Sequence, residues 1–298
     1  MQKIVPHAAE YSSIEHARFS ILIPSWNNLA YLKLCVRSIL QNSSFAHQII
    51  VIVNEGSDGT LEWAAEQKEL DYVHAASNIG ICLALNSCRP LIRTPYVVYA
   101  NDDMYFLPQW DAVLADAITE IGHPYFMLSS TMIEPQDTGN PCVVVQNYGN
   151  SIENFEENKL LSQFSTLQKS DWNGSTWPPN IVPLPLWDLV GGMSMEFSPG
   201  MYSDPDLAMK LWQLGVRYFR GVGDSKVYHF GSKSTRRVRR NKGRNTFLSK
   251  WNMTSRFFET HYLRKGTLFG GALAEPSISK KDVFFNKIKY FYYLLFQR

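Results

Sequence analysis

Short apolar runs alternate along the chain with stretches of helical spacing. Phe19–Pro24 reads FSILIP and Gln48–Val53 reads QIIVIV. Runs of this length and composition predict strands buried on both faces. Between them Leu29, Leu32, Val36, Ile39 and Leu40 recur at helix spacing. The NEGSDG that follows the second run is rich in turn formers. Thr60–Leu70 and Ile79–Cys88 again read as helices, Tyr72–Ala75 as a short third strand, and PYVVYA (Pro95–Ala100) as a fourth. This alternation predicts βαβ units: an α/β fold with a mostly parallel, Rossmann-like sheet, right-handed crossovers and helices on both faces. Ligands of such sheets bind beyond the carboxyl ends of the strands. Ser25–Asn28, Asn54–Thr60 and Asn101–Asp103 are therefore expected to lie together.

Farther along, residues 170–205 turn rich in Trp, Pro and Gly and predict a loop-rich wall suited to an acceptor. Asp206–Leu214 predicts a short helix stopped by Gly215, and Arg217–Phe219 and Ser225–His229 two further strands. Residues 1–17 carry no pattern and read as a loose extension.

Composition narrows the class. The 298 residues are 45% hydrophobic and 19% charged, which is globular and excludes disorder, collagen and coiled coil as the main architecture. With no 18-residue apolar run and no leader pattern, neither a spanning helix nor a signal peptide is expected. Cys35, Cys82, Cys88 and Cys142 form no C-x-x-C or zinc spacing and fit free thiols in a reducing, cytoplasmic setting. Charge is divided unevenly: residues 233–298 hold sixteen Lys/Arg against three Asp/Glu, and residues 1–232 thirteen against twenty-four. Such a basic tail suits phosphate, nucleic acid or an anionic membrane. Its last segment, DVFFNKIKYFYYLLFQR, predicts either a helix packed on this chain or a second subunit, or one lying in a membrane interface on the cytoplasmic side.

Five features carry candidate chemistry. Asn101-Asp102-Asp103 follows the fourth strand; adjacent carboxylates repel, and a hard divalent cation that also holds phosphates relieves the repulsion. A solvated turn is the plainer reading. In Asn78-x-Gly80-x-x-x-Ala84-x-Asn86, Gly80 permits close backbone approach and Asn78 suits a helix cap facing an anion. In SDPDL, Asp204 and Asp206 are either helix caps or one of them is a general base. His229 ends a strand pattern, either as a metal ligand through a neutral ring nitrogen or as an ordinary buried histidine. The basic run with Lys233, Arg236 and Arg237 follows Gly231 and Ser232, as a loop closing over phosphates would. Nucleic acid is the alternative there, but no helix–turn–helix, zinc finger or RNA-recognition motif accompanies it.

In order, these elements (SILIPSWNN, VIVNEGSDGT, NIGICLALN, ANDDM, SDPDLAMKLWQLG, VYHFGSKST) resemble a family 2 glycosyltransferase of the GT-A fold over residues 18–235. The resemblance implies a nucleotide-diphosphate sugar donor, a divalent metal (Mn²⁺ or Mg²⁺) and an inverting displacement, in surface polysaccharide or glycan assembly on a sugar or lipid-linked acceptor. It implies that Pro24, Ser25 and Asn27 meet the nucleoside, and that Asn54, Glu55, Asn78, Gly80, Asn86 and Asn101 lie on the donor side. Asp102 would contact ribose or the metal shell, Asp103 and His229 the metal, and Lys233, Arg236 and Arg237 the diphosphate. Asp204 would be the base, and Trp187, Gly191 and Gly192 would line the acceptor pocket. Residues 18–110 would form the donor half, 111–235 the acceptor half, and 236–298 a basic, aromatic C-terminal region. Three positions depart from the family pattern. Val53, or Asn54 on a one-residue shift, stands where an Asp is usual; Asn101 replaces the first acid of D-x-D; Ser203 replaces the Glu before the base. The competing readings are a nucleotidyltransferase, which would want a Gly-rich basic loop where Ser25-Trp26-Asn27-Asn28 stands, and a non-catalytic binder. A dehydrogenase is excluded, because no G-x-G-x-x-G follows the first strand.

Overall fold

The computed structural model describes residues 3–9, 16–174, 177–231 and 242–296. Lys233, Arg236 and Arg237 lie outside the described residues. Within them the strands are β1 (Ile4–His7), β2 (Ser20–Trp26), β3 (Gln48–Asn54), β4 (Asp71–Ala75), β5 (Tyr96–Tyr99), β6 (Met104–Phe106), β7 (Phe126–Glu134), β8 (Val144–Val145), β9 (Trp172–Asn173), β10 (Asn180–Pro183) and β11 (Tyr218–His229). They form one sheet in the order β1-β4-β3-β2-β5-β10-β7-β11-β6, with β8 beside β7 and β9 beside β11. The expected parallel core is β4-β3-β2-β5. Beyond it β10 runs antiparallel to both β5 and β7, while β11 is parallel to β7 and antiparallel to β6.

Alternation along the strands builds two cores. Ile21, Ile23, Ile49, Val51, Val53 and Val98 face one side, where α1 (Leu29–Asn42) and α4 (Trp110–Ile121) pack. Leu22, Ile50, Ile52, Val73, Val97 and Tyr99 face the other, against α3 (Gly80–Ser87) and α7 (Ser203–Gln213). Each such aliphatic side chain contributes about 1.5–3 kcal/mol by leaving water. The remaining helices are α2 (Thr60–Glu66), α5 (Glu157–Gln163), α6 (Leu184–Leu189), α8 (Gly243–Trp251), α9 (Ser255–Phe257) and α10 (Lys280–Phe296). All four cysteines are free and buried.

Three expectations change. The N-terminal extension is not patternless: Ile4–His7 adds β1 antiparallel to the edge of β4, with His7 stacked on Tyr72. The two strands expected at 217–219 and 225–229 are one, β11, whose register shifts between Val222 and Lys226. Gly223 sits in that bulge, where an added Cβ would lie 1.9 Å from the Lys169 carbonyl, so a sequence that reads as a turn is a close backbone approach. Past residue 235, Phe247, Phe258, Leu263 and Leu273 join the α3–α7 core, so the region read as a separate basic, aromatic C-terminal segment shares the core of the sheet at least to Leu273.

One buried carboxylate pins the first crossover. Asp111 on α4 is fully buried and accepts from the Ser44 and Phe45 backbone, with His47 Nε2 at 3.0 Å. Burial alone would raise its pKa; the His47 contact and the two backbone donors outweigh burial and hold it below the usual carboxylate value. Removing the charge leaves those buried groups unpaired, so Asp111→Asn should cost about 3 kcal/mol at neutral pH. The folded pKa is depressed, so this contribution is complete above the ordinary carboxylate range of about 4 and is lost as pH falls through the folded value. Urea unfolding of wild type and variant should differ at pH 7 and converge on acidification. A gap that persists in acid would assign the effect to shape rather than charge.

Candidate active site

The ends of β2 and β3 are tied to each other by their own side chains. Trp26 Nε1 donates to Glu55 Oε2 at 2.8 Å, and the Ser57 backbone N–H donates to Asn27 Oδ1 at 2.9 Å. Asp58 accepts from Leu29 N–H at the start of α1 and from Thr60 N–H at the start of α2. Burial opposes the charge on Asp58, but these donors and the Thr60 hydroxyl prevail and keep its pKa below the usual value. Val53 is core; Asn54 is buried and accepts from Ile79 N–H at 3.3 Å, tying β3 to the entry of α3. Pro24 and Ser25 lie at this same end of β2, and the Ser25 hydroxyl is buried without a hydrogen-bond partner. Asn78 Oδ1 accepts from Gly80 N–H at 2.8 Å, and Gly80 takes φ +73°, with Ser198 and Pro199 too close for any side chain.

The strand register assembles the densest charge. Met104 on β6 pairs with His229 on β11, which brings the preceding residue, Asp103, beside the ring. On the other side Ile133 of β7 pairs with Tyr228, which brings Glu134 level with His229. His229 Nδ1 lies 3.0 Å from Glu134 Oε1, and Nε2 lies 3.4 Å from Asp103 Oδ1. All three side chains are buried. Burial would lower the histidine pKa, but the Asp103 charge and the Glu134 contact reverse this and lift it to about 10. Nε2 itself has no hydrogen bond. Two ligand atoms at this spacing, the Asp103 oxygen and a buried His229 nitrogen that makes no hydrogen bond, fit a shared divalent ion. Glu134 reaches the opposite ring nitrogen, and no three His, Cys, Asp or Glu side chains converge on one point among the described residues. Asp102 is buried next to Asp103, and Asn101 accepts from the Tyr99 hydroxyl at 3.1 Å.

Across the site, the two acids at the start of α7 have different surroundings. Asp206 is fully buried and accepts from Trp251 Nε1 (2.8 Å) and Ser194 Oγ (2.6 Å), with Lys250 Nζ at 2.9 Å. Asp204 Oδ1 is sealed from solvent and has no hydrogen bond. Desolvation dominates its environment and raises its pKa to about 7. Neither acid occupies the N-cap position, which falls to Tyr202 at φ 73°. The charges of Asp204, Asp103 and Asp102 all act on the Tyr99 hydroxyl, whose pKa burial chiefly raises.

The structure reassigns three expected contacts. Asn86 does not face a donor: its side chain donates to Met193 O and accepts from Met193 N–H, both at 2.8 Å. Trp187 is 3% exposed and belongs to the core, and Gly192 is packed between that ring and Asn86, where a Cβ would lie 2.3 Å from Oδ1. Gly191 alone of this group borders open space. Lys210 donates to Val190 O and Gly192 O and holds the loop from below. Glu134 escaped sequence reading; its signal is a single acid ending the buried run FMLSSTMIE. Asn180 escaped too. It pairs with Tyr99, and its Nδ2 is buried without a partner.

Comparison with known proteins agrees with this geometry. A family profile described as "Glycosyl transferase family 2" matches residues 20–170. No curated protein sequence matches the chain. Among solved structures, the chain resembles S. aureus TarS 1–349 (TM-score 0.56, 12% identity, covering 94% of this chain and 73% of that one). It also resembles GalNAc-T7 solved with UDP, GalNAc and Mn²⁺ (0.54, 13%, covering 76% and 45%). A third likeness is the mannosyltransferase PcManGT from Pyrobaculum calidifontis in complex with GDP-Man and Mn²⁺ (0.52, 15%, covering 93% and 69%). At these identities the likenesses show the fold, that of GT-A glycosyltransferases.

The double bond of Asn86 to Met193 has a measurable consequence. Asn86→Ala should destabilise the protein by about 1–3 kcal/mol, because it leaves a buried backbone pair unsatisfied. Hydrogen exchange at Met193 should accelerate. Unchanged exchange there would mean that the loop is held by Lys210 and Trp187 alone.

Proposed function

The chain belongs to glycosyl transferase family 2, and from that premise we propose that it moves a sugar from a nucleotide-diphosphate donor to an acceptor hydroxyl with inversion at the anomeric carbon. One observation carries the reading. Asp103 and His229 face each other at 3.4 Å, Asp204 keeps a sealed, unpartnered carboxylate oxygen, and the charges of both aspartates act on the same Tyr99 hydroxyl.

Each side supplies a different half of the reaction. Asp103 and His229 would hold a divalent ion, Mn²⁺ or Mg²⁺. When bound, that ion supplies positive charge against the diphosphate that departs with the bonding electrons. Glu134 accepts from Nδ1–H and holds the ring in place, so that Nε2, on giving up its proton, would face the ion beside Asp103. Ser25, Asn27 and the Trp26–Glu55 pair lie where the nucleoside would rest, at the ends of β2 and β3. Asp204 takes the proton of the acceptor hydroxyl while its oxygen bonds to the anomeric carbon and the bond to the diphosphate breaks on the opposite face. A base whose pKa is about 7 is half ionised at neutral pH, so it is basic enough to accept that proton and ionised enough to begin.

Asp204→Asn should lower kcat by about 10²–10⁴-fold and leave donor affinity unchanged. Since the ionised carboxylate is the competent form, wild-type kcat should rise with pH and level off above about 7. A profile flat from pH 5 to about 9, or a variant with full turnover, would remove Asp204 from the role. On the donor side, Asp103→Ala should abolish the dependence of UDP or GDP binding on Mn²⁺, measured calorimetrically. Glu134→Gln should weaken Mn²⁺ binding by about 10–100-fold through the ring it orients. Binding of either diphosphate that ignores Mn²⁺ in the wild type would overturn the metal assignment.

A further inference from the structure

Among the described residues, one face of α10 leaves a run of large apolar side chains exposed. Its described start is fixed by Ser279, whose hydroxyl bonds to the Asp282 carboxylate and accepts from Asp282 N–H. The helix is seated on the body through Asn286, the buried residue among its described side chains. Asn286 accepts from Thr254 N–H and donates to Asn252 O, each at 3.1 Å. The opposite face carries Phe284, Ile288, Phe291 and Leu295, which recur at i, i+4, i+7 and i+11, flanked by Phe285 and Tyr292. These six point outward; Phe284 is 60%, Phe291 58% and Leu295 71% exposed. Burial against the protein therefore cannot explain them, and a stripe of this size in water is costly.

The charge around the stripe identifies what covers it. At 100° per residue, Lys287 and Lys289 fall on either side of the apolar face, and Lys280 and Lys281 stand at its N-terminal end, all exposed. Behind Phe285 and Lys289 lies a cleft of about 410 Å³ shared with α9, also lined by Arg256 and His261, with Asp282 at its edge. The N-terminal half of the stripe is thus flanked by cations. A second copy of the same surface would set lysines against lysines; a layer of phosphates over hydrocarbon satisfies both features. Among the described residues no helix is long and apolar enough to cross a membrane, so α10 lies on the layer instead of spanning it.

We propose that α10 docks the protein on an anionic membrane surface, with Phe284, Ile288, Phe291 and Leu295 inserted at the acyl boundary and Lys287 and Lys289 on lipid phosphates. This inference rests on α10 and its surroundings, and stands apart from sugar transfer. The full chain should float with vesicles of phosphatidylcholine and phosphatidylglycerol, fail to float with phosphatidylcholine alone, and be released by salt. Lys287→Glu with Lys289→Glu should weaken partitioning on the order of thirtyfold or more. Phe284→Ser with Phe291→Ser should abolish it, with the melting temperature unchanged because those side chains touch solvent. Three results would overturn the proposal: no flotation, equal flotation with both vesicles, or flotation indifferent to either variant. So would a lipid-free dimer in sedimentation velocity that Phe284→Ser with Phe291→Ser dissociates, since it would give the stripe to a second copy.

Discussion

A histidine buried between two carboxylates sets the terms for the rest of the site. Charges in such a place each cost several kcal/mol unless geometry and hydrogen bonds compensate them. Here compensation depends on register: β6 must pair with β11 so that Met104 opposes His229, and β7 with β11 so that Ile133 opposes Tyr228. A slip of one residue in either pairing would turn Asp103 or Glu134 to the other face of the sheet. The Gly223 bulge in β11 absorbs a mismatch upstream and lets both pairings hold at the strand's end. Aromatic packing of Tyr105, Tyr228 and Phe230 around this end keeps water away from it, which strengthens the same electrostatics.

Strain gathers on the same edge of the sheet. Of the non-glycine residues with positive φ among the described residues, Asn27 and Glu55 shape the loops after β2 and β3, and Tyr202 precedes Asp204. Each left-handed residue costs of order 1 kcal/mol and persists only where its surroundings hold it. For Asn27 and Glu55 the restraint is visible in the bonds to Ser57 and Trp26. Orphaned polar atoms at Ser25, Asn28, Asp204 and His229 add to that cost along the loops and strand ends of the site. Gln109, Asn252 and Arg264 carry similar strain elsewhere, but at the strand ends it coincides with buried polar atoms that a polar ligand would satisfy.

How much of this could be read from the chain depends on whether a residue's role follows from local pattern. The parallel core β4-β3-β2-β5 was legible because strands covered on both faces are written as uninterrupted apolar runs, and Asp103 and His229 could be singled out because they follow or end such patterns. The second half was opaque for physical reasons. β10 is a four-residue strand ending in proline whose partners, β5 and β7, come from earlier in the chain. β11 carries glycines that a linear reading takes for a turn. Trp187 and Gly192 sit in a stretch whose Trp, Pro and Gly content resembles an open wall, yet the glycine is there so that the ring can be covered. Asn86 resembles a ligand contact because its partner, Met193, is 107 residues away. Glu134 offered least of all, since the ring it meets, His229, is 95 residues away.

The two aspartates of α7 show how the C-terminal segment enters the chemistry. Asp204 and Asp206 begin the same helix, close enough that one cation could have served both. Lys250 and Trp251 of α8 instead bind Asp206, along with Ser194, and leave Asp204 Oδ1 without a donor. Farther on, Glu259 raises the Asp204 pKa while Lys265, paired with Glu259 at 3.2 Å, lowers it, both acting after the larger effect of burial. Residues past 235 therefore pair with one acid and leave the other to its burial. That division leaves burial as the main reason the Asp204 pKa lies near neutrality, with a segment that the charge pattern alone would have set apart as a basic tail supplying the bonds that distinguish its neighbour, Asp206.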